Sequence, residues 1–356
     1  MLKYLLITFA LVGFMTKAND YEFTTESHLK SRYKDEISNF WQQGNFSHFN
    51  GANNVRINYA TFINTSGTAP AKCLVISSGR SESYLKYKEV SFDLFNNGYS
   101  IFLIDHRGQG LSQHLLANSH KGHVEDFQYY IDDFNHLIDN IVMPHCQGSK
   151  PYLLAHSMGG AIAARYLQTF PNKIQAAVLS SPMLGFNSGS VPDVLAKAVV
   201  KISAQLNRWF DETPWYFLGH KGFSHNQFSD NILMHSPVRY QLFTQLYSTT
   251  PEIQLGGVTV HWLTESLKAL EAIFTHMNEI NSPVLVLQAG QDKIIDNEAQ
   301  NEFCQQLHHL HPHSCPQGKP KVIENAYHEL FFESDIHRQE ALTAALQWFE
   351  QHASTH

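Results

Sequence analysis

Residues 151–160 read Pro-Tyr-Leu-Leu-Ala-His-Ser-Met-Gly-Gly, and few folds accommodate such a run. The apolar stretch from Tyr152 to Ala155 predicts a buried strand. Gly159, Gly160, Ala161, Ala163 and Ala164 then open what reads as a helix. A strand that turns abruptly into a helix over a serine is the nucleophile-elbow arrangement, which lifts the hydroxyl above the sheet. So tight a turn needs small side chains two residues before and two after the serine. Ala155 and Gly159 supply them, as A-x-S-x-G in place of G-x-S-x-G. The helix that follows aims free N–H groups at any oxyanion forming beside Ser157. The competing reading is a small-residue turn with an incidental serine, and the rest of the chain decides between them.

Around this stretch strands and helices alternate. Asn54–Ile63 alternates as a strand would, and Lys72–Ser77 and Tyr99–Ile104 read as strands. A helix is expected from about Ser83 to Asn97, stopped by Gly98. Val124, Phe127, Ile131, Phe134, Ile138 and Ile141 recur at three and four residues, which predicts an amphipathic helix over 123–143. Further strands are expected at Ala176–Ser181, Val284–Leu287 and Val322–Ile323. Asp335–His352 closes the chain as an amphipathic helix, with Ile336, Leu342, Ala345, Leu346 and Phe349 inward. Residues 19–44 form a polar lead-in with helical character at Ser31–Trp41. Unbroken apolar strands alternating with helices indicate a mostly parallel sheet covered on both faces, an α/β class. With 356 residues and 43% apolar composition, the core is ample. A net charge of −7 without a basic block excludes nucleic acid as a partner.

The alternation stops near Asn187 and resumes near Pro283, dividing the chain into a core (19–186 and 283–356) and a helical cap or lid (187–282). A segment of that length must carry structure of its own. Its aromatics, Trp209, Phe210, Trp215, Tyr216, Phe217, Phe223 and Phe228, either roof an apolar cavity or form the cap's own core, with the second expected for most of them.

Serine becomes a nucleophile when a base takes its proton, and a third group fixes that base's tautomer. Asp292 and His328 each follow the C-terminal end of an expected strand, the edge where catalytic groups gather in parallel sheets. The order Ser157, Asp292, His328 is that of nucleophile, acid and base in this fold class. Asp296 is the second candidate for the acid. Met158 and Arg80, the latter in the loop after Lys72–Ser77, are the expected backbone N–H donors of an oxyanion hole. The Arg80 side chain has two open readings, contact with an anionic headgroup or a surface salt bridge.

Residues 1–18 combine Lys3, an apolar stretch of about a dozen residues and Thr16-Lys17-Ala18. The expectation is a signal peptide cut after Ala18 and an exported protein, periplasmic or secreted and in contact with membrane. The alternative is an uncleaved N-terminal anchor at the inner membrane. Four cysteines fit export: a Cys73–Cys146 bridge follows if their strands are neighbours, and Cys304–Cys315 would close a small loop, though reduced thiols are the other reading. His308, His309, His311 and His313 between the last pair match no tetrahedral zinc template, so no metal is expected.

Gly79-Arg80-Ser81-Glu82-Ser83-Tyr84, Ile104-Asp105-His106-Arg107-Gly108-Gln109-Gly110 and Leu154-Ala155-His156-Ser157-Met158-Gly159-Gly160 resemble the serial signatures of the bacterial lysophospholipase L2 family, among the monoacylglycerol lipase-like α/β-hydrolases. Gly256-Gly257-Val258-Thr259-Val260-His261-Trp262 and Ala326-Tyr327-His328-Glu329 extend it. The resemblance implies a serine carboxylester hydrolase that frees the fatty acid of lysophospholipids, with acyl transfer and monoacylglycerol activity as companions. It implies triad roles for Ser157, Asp292 and His328, oxyanion roles for Arg80 and Met158, and no cofactor. The alternatives are a monoacylglycerol lipase or general esterase, and a non-catalytic lipid-binding protein, which would tolerate a broken triad. Epoxide or haloalkane opening would want a carboxylate at the elbow.

Overall fold

A computed structural model describes residues 21–65, 72–187, 189, 191–224 and 226–353. The expected signal segment, 1–18, lies outside the described residues. Eight strands form one sheet in the order β1-β2-β4-β3-β5-β6-β7-β8. They are β1 (Asn45–Asn50), β2 (Arg56–Phe62), β3 (Lys72–Ser77), β4 (Tyr99–Ile104), β5 (Tyr152–His156), β6 (Ala177–Ser180), β7 (Val284–Ala289) and β8 (Lys321–Ile323). From β4 to β8 all neighbours are parallel, while β1 and β2 pair antiparallel at one edge. The helices are α1 (Glu26–Lys34), α2 (Glu36–Gln42), α3 (Lys88–Asn96), α4 (Gln128–Leu137), α5 (Met158–Thr169), α6 (Asp193–Phe210), α7 (Pro237–Thr249), α8 (Val260–Thr275), α9 (Asn297–Leu310) and α10 (Asp335–Gln351).

The period of two in the strands splits the core into two layers. Val75, Phe102 and Leu153 join α4 and α5 on one face, whereas Leu74, Ile101 and Leu154 join α3 and α10 on the other. Both faces are apolar, so the central strands read as continuous hydrophobic runs. Cys73 and Cys146 are bridged, tying β3 to the segment after α4, and Cys304 is bridged to Cys315. Neither pair is therefore available as thiolate metal ligands.

Some boundaries depart from expectation. Residues 84–87 form a 3₁₀ turn in front of α3. The 123–143 pattern becomes α4 only from Gln128 and then relaxes into a π turn at Ile138–Val142. Val124 and Phe127 are nevertheless buried, since packing of an irregular segment can mimic a helical period. Strand β1, within what reads as connecting sequence, is an edge strand with a largely exposed face that carries no apolar alternation. Ile336, expected inward on α10, is 73% exposed, because α10 turns Ala341, Leu342, Ala345, Leu346 and Phe349 to the sheet instead.

Between β6 and β7 lie α6, α7 and α8. The aromatics of this region do not make a core of their own. None of the seven is fully buried, and Trp209 and Phe210 are 69% and 75% exposed. The reason is that α6 meets the rest of the protein by its Val200 and Asn207 side, leaving its end facing solvent. Arg239 of α7 anchors the region to the core: its guanidinium is bound to Glu89 of α3 and Asp335 of α10.

Candidate active site

Ser157 sits between β5 and α5 with φ 51° and ψ −118°, a conformation that L residues rarely adopt. The neighbouring bonds fix it: its N–H donates to Ser180 O, and its carbonyl accepts from the amides of Gly160 and Met183. Gly159 explains the small-residue requirement in distances. A Cβ there would stand 2.3 Å from Ser77 O and 2.6 Å from Ser78 O, both backbone atoms.

Three side chains from the ends of three strands meet. Ser157 Oγ lies 3.0 Å from His328 Nε2, and His328 Nδ1 lies 2.7 Å from Asp292 Oδ2. The other Asp292 oxygen accepts the N–H groups of Ile294 and Ile295. Burial pushes the Asp292 carboxyl up, but His328 and these amides outweigh it and hold the group below the usual carboxylate range. Asp296, the second candidate for the acid, instead caps α9 by accepting the N–H of Glu298 at 2.9 Å. A charged, buried carboxylate on Nδ1 leaves Nε2 free to take the Ser157 proton, the arrangement required of a base–nucleophile pair.

The loop after β3 runs Gly79 to Glu82, and three side chains clamp it. Glu82 accepts the Gly79 N–H, Gln109 accepts from Ser81 N while donating to Gly79 O and Glu82 O, and Tyr247 of α7 donates to Ser81 O. The amides of Arg80 and Met158 have no acceptor among the described hydrogen bonds. Arg80 follows Gly79 in this loop, and Met158 opens α5 directly after Ser157.

Beneath the loop is a buried charge cluster of which the sequence motifs contain Glu82, His156 and Glu329 without a role, and Lys86 not at all. Lys86 Nζ lies 2.5 Å from Glu82 Oε1 and 2.7 Å from Glu329 Oε2, with His156 Nε2 3.5 Å from that second carboxylate. Burial alone would raise the Glu82 pKa, yet Lys86 and His156 bring it down to about 2. Glu82, His156 and Glu329 converge as metal ligands might, but the Lys86 ammonium already bridges the two carboxylates. Asp105, also unassigned from the sequence, accepts from Tyr84 N, Leu111 N and Ser83 Oγ and so fixes the two glycine-bearing loops to each other.

A cavity of about 2370 Å³ opens from Ser157 and His328. It runs under α6 and α8 and out past α9, with Met183, Leu184, Val200, Leu263, Leu270 and Phe274 among its apolar walls. Its volume and the spread of its lining from Ser157 to α9 suit a flexible chain more than a compact ligand.

The fold and these residues have counterparts among known proteins. The family model described as serine aminopeptidase, S33 matches residues 68–335. The lysophospholipase L2 of Escherichia coli strain K12 is 35% identical over 331 residues, 93% of this chain and 95% of that protein. The chain belongs to the lysophospholipase L2 family. With that family it is a carboxylic ester hydrolase of lipid esters on an α/β-hydrolase fold. The monoglyceride lipase of Mus musculus is 26% identical over 266 residues, covering 74% of this chain and 77% of that protein. In fold, a soluble variant of monoglyceride lipase from Saccharomyces cerevisiae, crystallised with a substrate analog, superposes with a TM-score of 0.65 at 18% identity, over 87% of this chain and 96% of that one.

Proposed function

We propose that this enzyme releases the fatty acid from lysophospholipids through an acyl-enzyme on Ser157. The observation that carries the mechanism is the hydrogen-bonded series Ser157–His328–Asp292, its two bonds 3.0 and 2.7 Å long. His328 Nε2 accepts the hydroxyl proton as Ser157 Oγ attacks the acyl carbonyl. The resulting oxyanion lies against the Arg80 and Met158 amides. Collapse breaks the ester bond, and His328 returns the proton to the departing glycerol oxygen. Water activated by the same histidine then cleaves the acyl-enzyme. The cavity takes the acyl chain, with residues 187–282 as its roof. Likeness to the Escherichia coli relative supports the lysophospholipid substrate, and likeness to the monoglyceride lipases supports monoacylglycerols as the second substrate.

The proposed setting is an exported protein in peripheral contact with a membrane. Two disulfides fit an oxidising compartment. No helix among the described residues is long and apolar enough to cross a membrane. Helix α6, however, exposes Leu195, Ile202, Leu206, Trp209 and Phe210, flanked by Lys197, Lys201 and Arg208, as a helix lying at a lipid interface does.

The deciding assay is fatty-acid release by purified protein from lysophosphatidylcholine, lysophosphatidylethanolamine and monoacylglycerol, with Ser157→Ala as control. Release that disappears in the variant supports the mechanism, and the substrate ranking selects between the two lipids. Release that survives the substitution would remove Ser157 from the mechanism.

A further inference from the structure

Arg80 contributes more to the cavity than its amide. Its guanidinium points to the junction with the cap, where Nη1 donates to Gly256 O at 2.8 Å. The three fully buried arginines are all neutralised: Arg107 by Asp133, Arg239 by Glu89 and Asp335, and Arg338 by Asp93. Arg80 has no carboxylate within 4.0 Å among the described residues, so the surface salt bridge that its sequence context also allowed is absent. Its Nε and Nη2 have no hydrogen-bond acceptor among the described residues, yet neither is closed off from solvent. Arg80 lines the same cavity as Ser157. Burial lowers the Arg80 pKa, with Tyr130 acting against it.

His220 lines the same cavity, and burial, helped by the nearby Arg80 charge, holds its pKa below the ordinary imidazole value. Its Nδ1 accepts the Val258 N–H at 3.0 Å, so the neutral ring carries its proton on Nε2 and has a donor to offer. Gly257 is what makes room for it, since a Cβ there would lie 2.4 Å from the His220 Cβ. Glu82 and Glu329, which line the same cavity, are both held by Lys86.

We propose that the Arg80 guanidinium and His220 Nε2–H form an anion subsite that receives the phosphate of the substrate headgroup. This rests on the lysophospholipid reading above. A guanidinium offers phosphate paired donors in a planar fork, which no hydroxyl of a monoacylglycerol can match. One residue thereby serves both ends of the glycerol unit, its amide at the acyl carbonyl and its side chain at the phosphate. Arg80 is the residue by which the enzyme distinguishes phosphorylated from neutral monoacyl lipids.

The test compares kcat/KM for lysophosphatidylethanolamine and for the monoacylglycerol of the same acyl chain, in wild type, Arg80→Gln, Arg80→Lys and His220→Gln. Loss of a charged hydrogen-bonding partner predicts that Arg80→Gln lowers the phospholipid-to-glyceride ratio by about 10- to 100-fold. Arg80→Lys should recover part of that ratio, and His220→Gln should lower it by a smaller factor. An unchanged ratio, with both substrates losing equally, would make Arg80 a cap fastening and overturn the subsite. A second arm uses a neutral ester, p-nitrophenyl butyrate, with glycerophosphoethanolamine or inorganic phosphate as inhibitor. Competitive inhibition of wild type by glycerophosphoethanolamine, lost in Arg80→Gln, supports the subsite even if no lysophospholipid is turned over, in which case the substrate reading alone fails. Absence of inhibition in wild type overturns it, and equal inhibition by inorganic phosphate would replace the headgroup with a free anion.

Discussion

At Ser157 the chain holds a positive φ because every alternative would break the bonds around it, and each neighbour can be tested. Gly159→Ala forces a Cβ into two carbonyl oxygens of the β3 end, so it should yield insoluble protein or a Tm lowered by many degrees, read by thermal unfolding. Asp292→Asn preserves shape but removes the charge that orients His328. Its kcat should fall by about 10³–10⁴ with KM little changed, measured on a soluble ester. Glu82 makes a prediction in pH. Its folded pKa, about 2, lies below the ordinary 4.5, so the ionised form is favoured by folding. The associated stability is complete above pH 4.5 and is lost as pH falls toward 2. Urea midpoints of wild type should drop across that window, and Glu82→Gln should lack this part of the drop. An identical acid profile in the variant would show that Lys86 does not stabilise the ionised form.

Among the elements, the two disulfides close loops of very different length, with sequence separations of 73 and 11 residues. Chain entropy predicts that losing Cys73–Cys146 costs about 4 kcal/mol and losing Cys304–Cys315 about 3 kcal/mol. Paired serine variants compared by urea unfolding check that order, and the reverse order would mean that native-state terms outweigh loop entropy. The strands show why element type was easier to read than element limits. Strands β3, β4 and β5 are buried on both faces, so their apolar runs were unmistakable. Strand β1 has only one neighbour and little to bury, and its hydrogen bonds to β2 leave no trace in hydropathy.

For the molecule as a whole, α6 both walls the cavity through Val200 and presents apolar side chains outward. Bound to vesicles containing anionic lipid, the protein should show a blue-shifted tryptophan emission and a salt-sensitive affinity. Ile202→Glu with Trp209→Ala should weaken binding at least about tenfold while leaving hydrolysis of a short soluble ester intact. Binding that is unaltered by those changes would move the membrane contact elsewhere. Sequence alone determined the strand–turn–helix at Ser157, the class of sheet around it and the chain order in which Ser157, Asp292 and His328 follow their strands. These depend on local sterics and on apolar runs that any buried parallel strand must have. Tertiary structure decided the rest: Asp292 rather than Asp296 at His328, the Lys86 cluster under the Gly79–Glu82 loop, and an Arg80 without a carboxylate partner among the described residues. Each is set by distances between residues far apart in the chain, where the outcome depends on which charge reaches which, and no local pattern encodes that.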